Sequence, residues 1–271
     1  MLGLGLFFGV VLAVAYRYLK VEEDPRIDDT EGLLPGTNCG ACGEPGCRAF
    51  SEKLVSGDVE PSKCTVASPD ALESIAEYLG VDAGEQNKQV ARLRCAGGMA
   101  EAQQIAEYKG YGGCRAAAIV SAGGKGCSWG CLGLADCEIS CTFGAITMND
   151  NGLPKVEVDL CTACGDCVDS CPRDLFEILP LNEKLYVQCN NPLAGDDAVS
   201  LCTVACDACG RCALDAEPGV VVMENNLPVV RFDLGTVTPK AIYRCPTDAI
   251  KWLEGNQFEE NSQDKSQKRH A

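Results

Sequence analysis

The sequence predicts an α+β protein in which an N-terminal transmembrane helix precedes a small four-cysteine domain and tandem modules of ββ hairpins and short helices. Three observations predict it. From Met1 to Leu19 the chain is almost unbroken apolar sequence, with Arg17 as the only charge. Twenty cysteines, many in tight C-x-x-C groups, share 271 residues with 29 Gly and 13 Pro, so conventional apolar cores must be small. A stretch ending in Cys-Pro recurs further along the chain, and hairpin-type runs precede the first copy.

The first element is the apolar run. Eighteen helical residues rise about 27 Å, close to the roughly 30 Å of bilayer hydrocarbon. Gly5, Gly9 and Ala13 line one face in a pattern suited to close packing in lipid. Ala13-Val14-Ala15 resembles a signal cleavage site, but the basic residues Arg17 and Lys20 follow the run instead of preceding it. The reading is therefore a retained single-pass anchor in the cell inner (cytoplasmic) membrane, over residues 1–20. By the positive-inside rule the bulk of the chain lies on the cytoplasmic side.

Residues 21–34 follow as an acidic linker. The four-cysteine domain spans 35–80 and closes on a helix: Ser68 caps it, Pro69 opens it, Leu72, Ile75, Ala76 and Leu79 share a face, and Gly80 stops it. Residues 81–126 read as a connector, 127–180 as one module and 181–254 as a second. The polar stretch 255–271 reads as a disordered tail.

Composition excludes several functions. A formal charge of −16 repels nucleic acid. The lone histidine, His270, stands next to the last residue, which removes histidine dyads and zinc–histidine enzymes. No nucleophile–base pair, dinucleotide fingerprint or phosphate loop is present, so no catalytic side chain is assigned. Gly110–Gly113 and Gly123–Gly126 each run into a cysteine and read as turns.

That leaves the thiols. Disulfide frameworks belong to short secreted chains, whereas thiolates two residues apart converge on a metal centre in a reducing compartment. Cys39, Cys42, Cys47 and Cys64 form C-x2-C-x4-C-x16-C in a glycine-rich setting. Four thiolates there suit a [4Fe–4S] cluster or a structural zinc.

Cys161, Cys164, Cys167 and Cys171 with Pro172 make C-x2-C-x2-C-x3-C-P, the bacterial ferredoxin run. Upstream, Cys127, Cys131, Cys137 and Cys141 form a looser half. In two-cluster ferredoxins the fourth cysteine of each half ligates the other cluster. The expected sets are thus Cys127, Cys131, Cys137 and Cys171, and Cys141, Cys161, Cys164 and Cys167. Between the halves, Ala145–Met148 and Lys155–Val158 flank Asn149-Asp150-Asn151-Gly152, a hairpin signal.

Residues 153–172 align without gaps on 227–246, an offset of 74. Gly235, Thr238 and Ala241 replace the three loop cysteines, and Ala216 stands where the crossing cysteine of the upstream half belongs. Under the crossover rule these losses delete one whole cluster and leave Cys206, Cys209, Cys212 and Cys245 as the complete set of the other. The sixteen cysteines make four [4Fe–4S] sites. Cys95, Cys114, Cys189 and Cys202 are left over, either as buried thiols packing as small hydrophobes or as an extra metal site. Cys202 is also a substitute ligand for the last module.

Asp24-Pro25-Arg26 after an apolar helix, then Leu34-Pro35-Gly36-Thr37-Asn38-Cys39-Gly40-Ala41-Cys42, Gly130 to Cys137 and the ferredoxin repeats resemble the B subunit of the Rnf complex. The match covers nearly the whole chain apart from the tail. The resemblance implies an iron–sulfur subunit of a membrane ion-translocating complex that exchanges electrons between ferredoxin and NAD. Flavin and nicotinamide sites would lie on other subunits, and this one would be the entry relay for ferredoxin electrons. The deleted cluster departs from the family's fuller pattern.

The expected function is therefore electron transfer by a membrane-anchored multi-[4Fe–4S] subunit of a translocase, with soluble ferredoxin, partner subunits and lipid as its contacts and no nucleic acid. The apolar segment carries no acid or base for ion passage, so ions cross through partners. Net acidity serves partner docking or solubility, and Lys109, Arg115 and Lys125 are the candidate basic patch for an acidic ferredoxin. The alternatives are an iron–sulfur relay that keeps a redox-sensing regulator reduced, and a zinc-stabilised structural protein.

Overall fold

The computed structural model describes residues 2–19 and 24–258. The chain divides into two compact units, Met1–Glu85 and Gln86–Ala271.

In the first unit the apolar run forms one helix, α1 (Leu2–Leu19). Leu6, Phe7, Leu12 and Tyr16 along it are all exposed. The expected transmembrane span does not emerge from the geometry: among the described residues no helix is long and apolar enough to cross a membrane. Helix α1 counts 18 residues, a rise of about 27 Å beside roughly 30 Å of hydrocarbon, and Arg17 occupies its last turn. Lys20, on which the orientation also drew, lies outside the described residues.

The stretch read as a linker holds a second helix, α2 (Pro25–Leu33). Asp24 caps it by accepting the Arg26 N–H at 3.0 Å, and Pro25 supplies a preset first turn. Two further helices follow, α3 (Cys47–Ser56) and α4 (Pro69–Leu79). Arg48 of α3 reaches Asp28 at 2.8 Å and Glu31 at 2.9 Å, while the Tyr78 hydroxyl of α4 donates to Asp29 at 2.5 Å. Polar contacts of this kind leave no hydrophobic period to read, which is why α2 escaped the sequence pattern.

Helix α4 follows the predicted bounds. Ser68 Oγ accepts the Ala71 N–H at 3.3 Å, and Gly80 takes the left-handed conformation with φ 68°. The predicted face is buried, and Leu72 and Ile75 pack with Leu34, Phe50 and Leu54 in one core.

The second unit is built twice over from one plan, an inner hairpin and an outer two-stranded ladder. In the first copy β1 (Gln89–Leu93) pairs antiparallel with β4 (Phe176–Pro180), enclosing the hairpin β2 (Ile146–Met148) and β3 (Pro154–Val156). The predicted turn closes it, with Asn149 N–H donating to the Leu153 carbonyl at 2.9 Å. In the second copy β5 (Leu185–Val187) pairs with β8 (Ile250–Trp252), enclosing the hairpin β6 (Val221–Glu224) and β7 (Leu227–Val230). Asn225 and Asn226 carry positive φ at its turn, 49° and 65°, as two-residue hairpins require.

Short helices lie among the cysteine loops: α5 (Cys114–Ile119), α6 (Asp136–Ser140), α7 (Asp166–Ser170), α8 (Gly195–Leu201) and α9 (Arg211–Asp215); Cys114, Cys137, Cys167 and Cys212 stand within four of them. Leu153, Val156, Leu175 and Phe176 centre one apolar core, Leu185, Val187, Val220 and Ile250 a second, and Ala102, Ala198, Leu227 and Ala249 a third.

Two boundaries move. The stretch read as a connector contributes β1 to a ladder whose other strand lies more than eighty positions on. The first residues of the polar tail are fastened down: Asn256 Oδ1 accepts the Val158 N–H at 2.9 Å, and the Gln257 amide exchanges hydrogen bonds of 2.8 and 2.6 Å with Leu93. Residues 259–271 lie outside the described residues.

Removing the Ile75 side chain, which is 0% exposed, with Ile75→Ala lowers the stability of the first unit by about 2–5 kcal/mol. The exposed neighbour change Glu73→Ala stays within about 0.5 kcal/mol. Urea unfolding followed by circular dichroism checks the pair; equal midpoints would show that Ile75 does not hold this core together.

Candidate metal centres

Cys39, Cys42, Cys47 and Cys64 line a hollow of about 300 Å³ that is partly open to solvent. A tight turn positions the first two, with Gly43 N–H donating to the Gly40 carbonyl at 2.9 Å. Cys47 opens α3, and its N–H donates to Asn38 Oδ1 at 2.8 Å. A Cβ at Gly46 would stand 2.8 Å from that same oxygen, so the approach needs glycine. Cys64 follows a single 3-10 turn, Pro61–Lys63, and its sulfur accepts N–H groups from Val66 and Ala67.

A second hollow, of about 310 Å³, is lined by Cys141, Cys161, Cys164 and Cys167. These four come from two halves of the ferredoxin repeat and meet across α6 and α7, the arrangement the crossover rule calls for. Around the second run, Ala163 (φ 58°) and Gly165 (φ 93°) turn the backbone so that N–H groups face sulfur. Ala145 donates to Cys141 Sγ at 3.3 Å, Ala91 to Cys161 Sγ at 3.5 Å, and Asp166 N–H to Cys164. Next to Cys161 lies Arg92, 2% exposed. Its Nη1 donates to the Gly255 carbonyl at 2.7 Å, and its Nη2 has no hydrogen-bond partner among the described residues. It is a buried positive charge beside the Cys161 sulfur.

The last module brings Cys212 close to Cys209 and Cys245, and Cys206 close to Cys212. Cys212 and Cys245 pack in the same core as Ala216 and Ala241, two of the positions where cysteine is lost. The remaining expected set is only partly together. The thiols that act on Cys137 include Cys171 and Cys114, whereas Cys127 has Cys95 beside it. Cys114, which no spacing motif claimed, thus stands next to two expected ligands. Its signal was weak because it opens α5, over twenty residues upstream of its neighbours.

All twenty cysteines are free thiols. Among the described residues no group of three or more metal-ligating side chains draws close enough to hold a single ion. A four-iron cubane is larger than an ion and takes one thiolate at each of four corners. Two hollows with four thiols on the rim, sulfur facing backbone N–H groups, and a nearby guanidinium fit such a group.

Burial pushes the thiols of Cys137, Cys167 and Cys206 up to about 12, and that of Cys212 up to about 11. Neighbouring thiols push the same way. Near neutral pH these groups are protonated until iron displaces the proton.

The candidate basic patch is not a patch. Lys125 is 7% exposed and points inward, its Nζ donating to the carbonyls of Gly97 at 2.5 Å and Cys131 at 2.6 Å. Lys109 pairs with Glu107 at 3.2 Å, and Arg115 donates to the Asp169 carbonyl at 2.8 Å. The physical reason is hydrogen bonding: the carbonyl oxygens of Gly97 and Cys131 replace water around the ammonium and offset the cost of its burial.

Hairpin modules whose loops turn four thiols around a common hollow define an iron–sulfur protein of the multi-cluster ferredoxin class. Comparison with known proteins agrees: a family model described as "Putative Fe-S cluster" matches residues 34–66, and one described as "4Fe-4S binding domain" matches residues 154–177. The chain is 39% identical over 246 residues to the B subunit of the Na(+)-translocating ferredoxin:NAD(+) oxidoreductase complex of Acetobacterium woodii, covering 91% of this chain and 74% of that protein. It is 36% identical to the B subunit of the proton-translocating ferredoxin:NAD(+) oxidoreductase complex of Clostridium ljungdahlii, covering 97% and 94% of the two chains. With the B subunit of the ion-translocating oxidoreductase complex of Methanosarcina acetivorans it shares 34% identity over 92% and 94%. The chain belongs to the family formed by the B subunits of ion-translocating oxidoreductase complexes, the Rnf family.

Because the buried thiols must lose protons to bind iron, loading of the iron-free chain should strengthen as pH rises from about 6.5 to 8.5, with proton release on binding. Anaerobic iron and sulfide titration in weakly buffered solution checks it. A loading curve indifferent to pH would contradict the raised thiols.

Proposed function

We propose that the chain is the electron-relaying subunit of a ferredoxin:NAD oxidoreductase complex that moves ions across a membrane, receiving electrons from ferredoxin and handing them to partner subunits. The observation that carries this is the hollow shared by Cys141, Cys161, Cys164 and Cys167, in which a cysteine from one half of a repeat completes the ligand set of the other. Interlocked sets of that kind lie side by side, and the Cys137 and Cys167 thiols act on each other.

A [4Fe–4S] cluster held there would supply one-electron chemistry with little rearrangement. The chain's own residues supply the rest. Three sets serve as ligands: Cys39, Cys42, Cys47 and Cys64; Cys141, Cys161, Cys164 and Cys167; and Cys206, Cys209, Cys212 and Cys245. A further set contains Cys131, Cys137 and Cys171. Backbone N–H groups aimed at sulfur stabilise its negative charge, and Arg92 offsets more of it. Leu93, Leu153 and Phe176 exclude water from the inner faces.

Attachment to the membrane is assigned to α1, whose exposed apolar side chains are costly in water and favoured in lipid. Orientation with the cysteine modules on the cytoplasmic side of the inner membrane accords with Arg17 at its end and with free thiols.

Membranes from cells lacking this chain should lose ferredoxin-dependent NAD reduction and the ion gradient it drives, and the full chain should restore both. A chain without residues 1–19 should restore neither while staying in the soluble fraction. Unchanged exchange and gradient in the deletion would reject the pump reading.

At the ligand level, Cys245→Ala should abolish one cluster signal in electron paramagnetic resonance of the reduced chain, and Thr238→Ala should leave all signals intact. Equal effects from the two changes would refute the crossover assignment of the last module.

A further inference from the structure

Cys95, Cys114, Cys189 and Cys202 fall outside every spacing motif, yet all four are at most 9% exposed. Their placement follows the internal repeat. Cys95 stands two residues beyond β1, and Cys189 two residues beyond β5, the equivalent outer strand. Cys127 precedes Cys131 by four residues, and Cys202 precedes Cys206 by four. Cys131 and Cys206 each open the loop of their half-repeat. The N–H of Cys131 donates to Cys95 Sγ at 3.4 Å, and the N–H of Cys206 donates to Cys189 Sγ at 3.3 Å. Each repeat thus presents the same pair of thiols in the same backbone setting.

The two pairs meet. Ala96 N–H donates to the Gln188 carbonyl at 3.1 Å, drawing the chain after β1 to the chain after β5. Ala102 forms an antiparallel bridge with Cys202, and a Cβ at Gly97 would stand 2.5 Å from Cys202 Sγ. Every pairing among Cys95, Cys127, Cys189 and Cys202 is close enough for charge on one sulfur to act on the other. The buried ammonium of Lys125 acts on Cys127 and Cys131 and supplies a counter-charge.

Moving Cys127 to this group leaves Cys131, Cys137 and Cys171 one thiolate short, and the loop itself says what fills the gap. Residues 131–141 align on 161–171 with Leu134 at the position of Cys164. At Cys164 the sulfur accepts the N–H two residues on, from Asp166, and Cys209 likewise accepts from Arg211. At Leu134 the corresponding N–H, from Asp136, donates instead to the sulfur of Cys114. Cys114 is therefore where a cysteine at 134 would put its sulfur.

We propose that Cys95, Cys127, Cys189 and Cys202, two from each repeat, hold a fifth [4Fe–4S] cluster, and that Cys114 replaces Leu134 as the fourth ligand beside Cys131, Cys137 and Cys171. Every cysteine in the chain then belongs to a set of four. Each ligation forms an iron–sulfur bond and releases one thiol proton, with iron and sulfide supplied as for the other clusters. The proposal rests on the iron–sulfur reading above.

The test is iron and acid-labile sulfide per full-length chain after anaerobic reconstitution, with electron paramagnetic resonance of the reduced protein. The expected content is about twenty irons and twenty sulfides. Cys202→Ala and Cys114→Ala should each lose between about one and four irons and alter different resonances. Adding Leu134→Cys to Cys114→Ala should restore the iron and the lost signal, which separates a ligand from a packing residue and holds even if the single variant folds poorly.

About sixteen irons in the natural chain, unchanged by Cys202→Ala, would overturn the fifth cluster while leaving the relay function intact. Failure of Leu134→Cys to restore what Cys114→Ala removes would overturn the second assignment. A reconstituted chain with no iron would sink the underlying reading instead.

Discussion

The convergence of four thiolates on one centre is the constraint to which the rest of the structure answers. Like charges repel, and burial raises the cost of each, as the upward-shifted thiols of Cys137, Cys167 and Cys206 register. Such a group is stable only when metal takes the protons' place and N–H dipoles face the sulfur. The loops are built for the second requirement. Ala163 and Gly165, Ala208 and Gly210, and Gly133 and Ala135 all take positive φ at matching places in three half-repeats. That conformation turns amide groups inward. An alanine there carries a steric penalty, and it recurs where the cluster loop recurs.

Charge is managed on two scales. The chain as a whole is acidic, with a formal charge of −16, which repels polyanions. Inside, the sign reverses. Arg92 and Lys125 are both nearly inaccessible and both act on cysteine sulfur; Arg92 Nη1 donates to the Gly255 carbonyl, and Lys125 Nζ to those of Gly97 and Cys131. A buried cation with no carboxylate partner is expensive on its own. Set beside thiolates it lowers the cost of both, and the same proximity stabilises the electron-rich state of a bound cluster.

Small apolar cores suffice because the outer ladders and inner hairpins frame the thiol loops. Leu153, Leu175 and Leu185 are almost wholly buried, but each sits in a cluster that includes cysteine. The second copy keeps the same framework with alanine at two positions where the first carries cysteine. Ala241 and Ala216 occupy the vacated positions and pack against Cys212 and Cys245, so the hairpin β6–β7 keeps its inner face. The ladder β5–β8 still closes the module.

Much of this was legible in the residues alone, for a physical reason. Cysteine spacing is a local property of the chain, so C-x2-C-x2-C-x3-C-P and the gap-free alignment at Cys245 marked the cysteine loops, and Ser68, Pro69 and Gly80 marked α4 at both ends. Hairpin turns are equally local, and Asn149–Gly152 was read as it stands. What the chain order could not disclose were encounters between distant segments: β1 against β4, the polar contacts that hold α2, the inward turn of Lys125, and the meeting of Cys95 and Cys127 with Cys189 and Cys202. Spacing determined which thiols stand together along the chain. Only the folding of two repeats onto each other decided which thiols become neighbours across it, because that depends on where backbone N–H groups and strands bring sulfur in space, and no interval in the sequence encodes it.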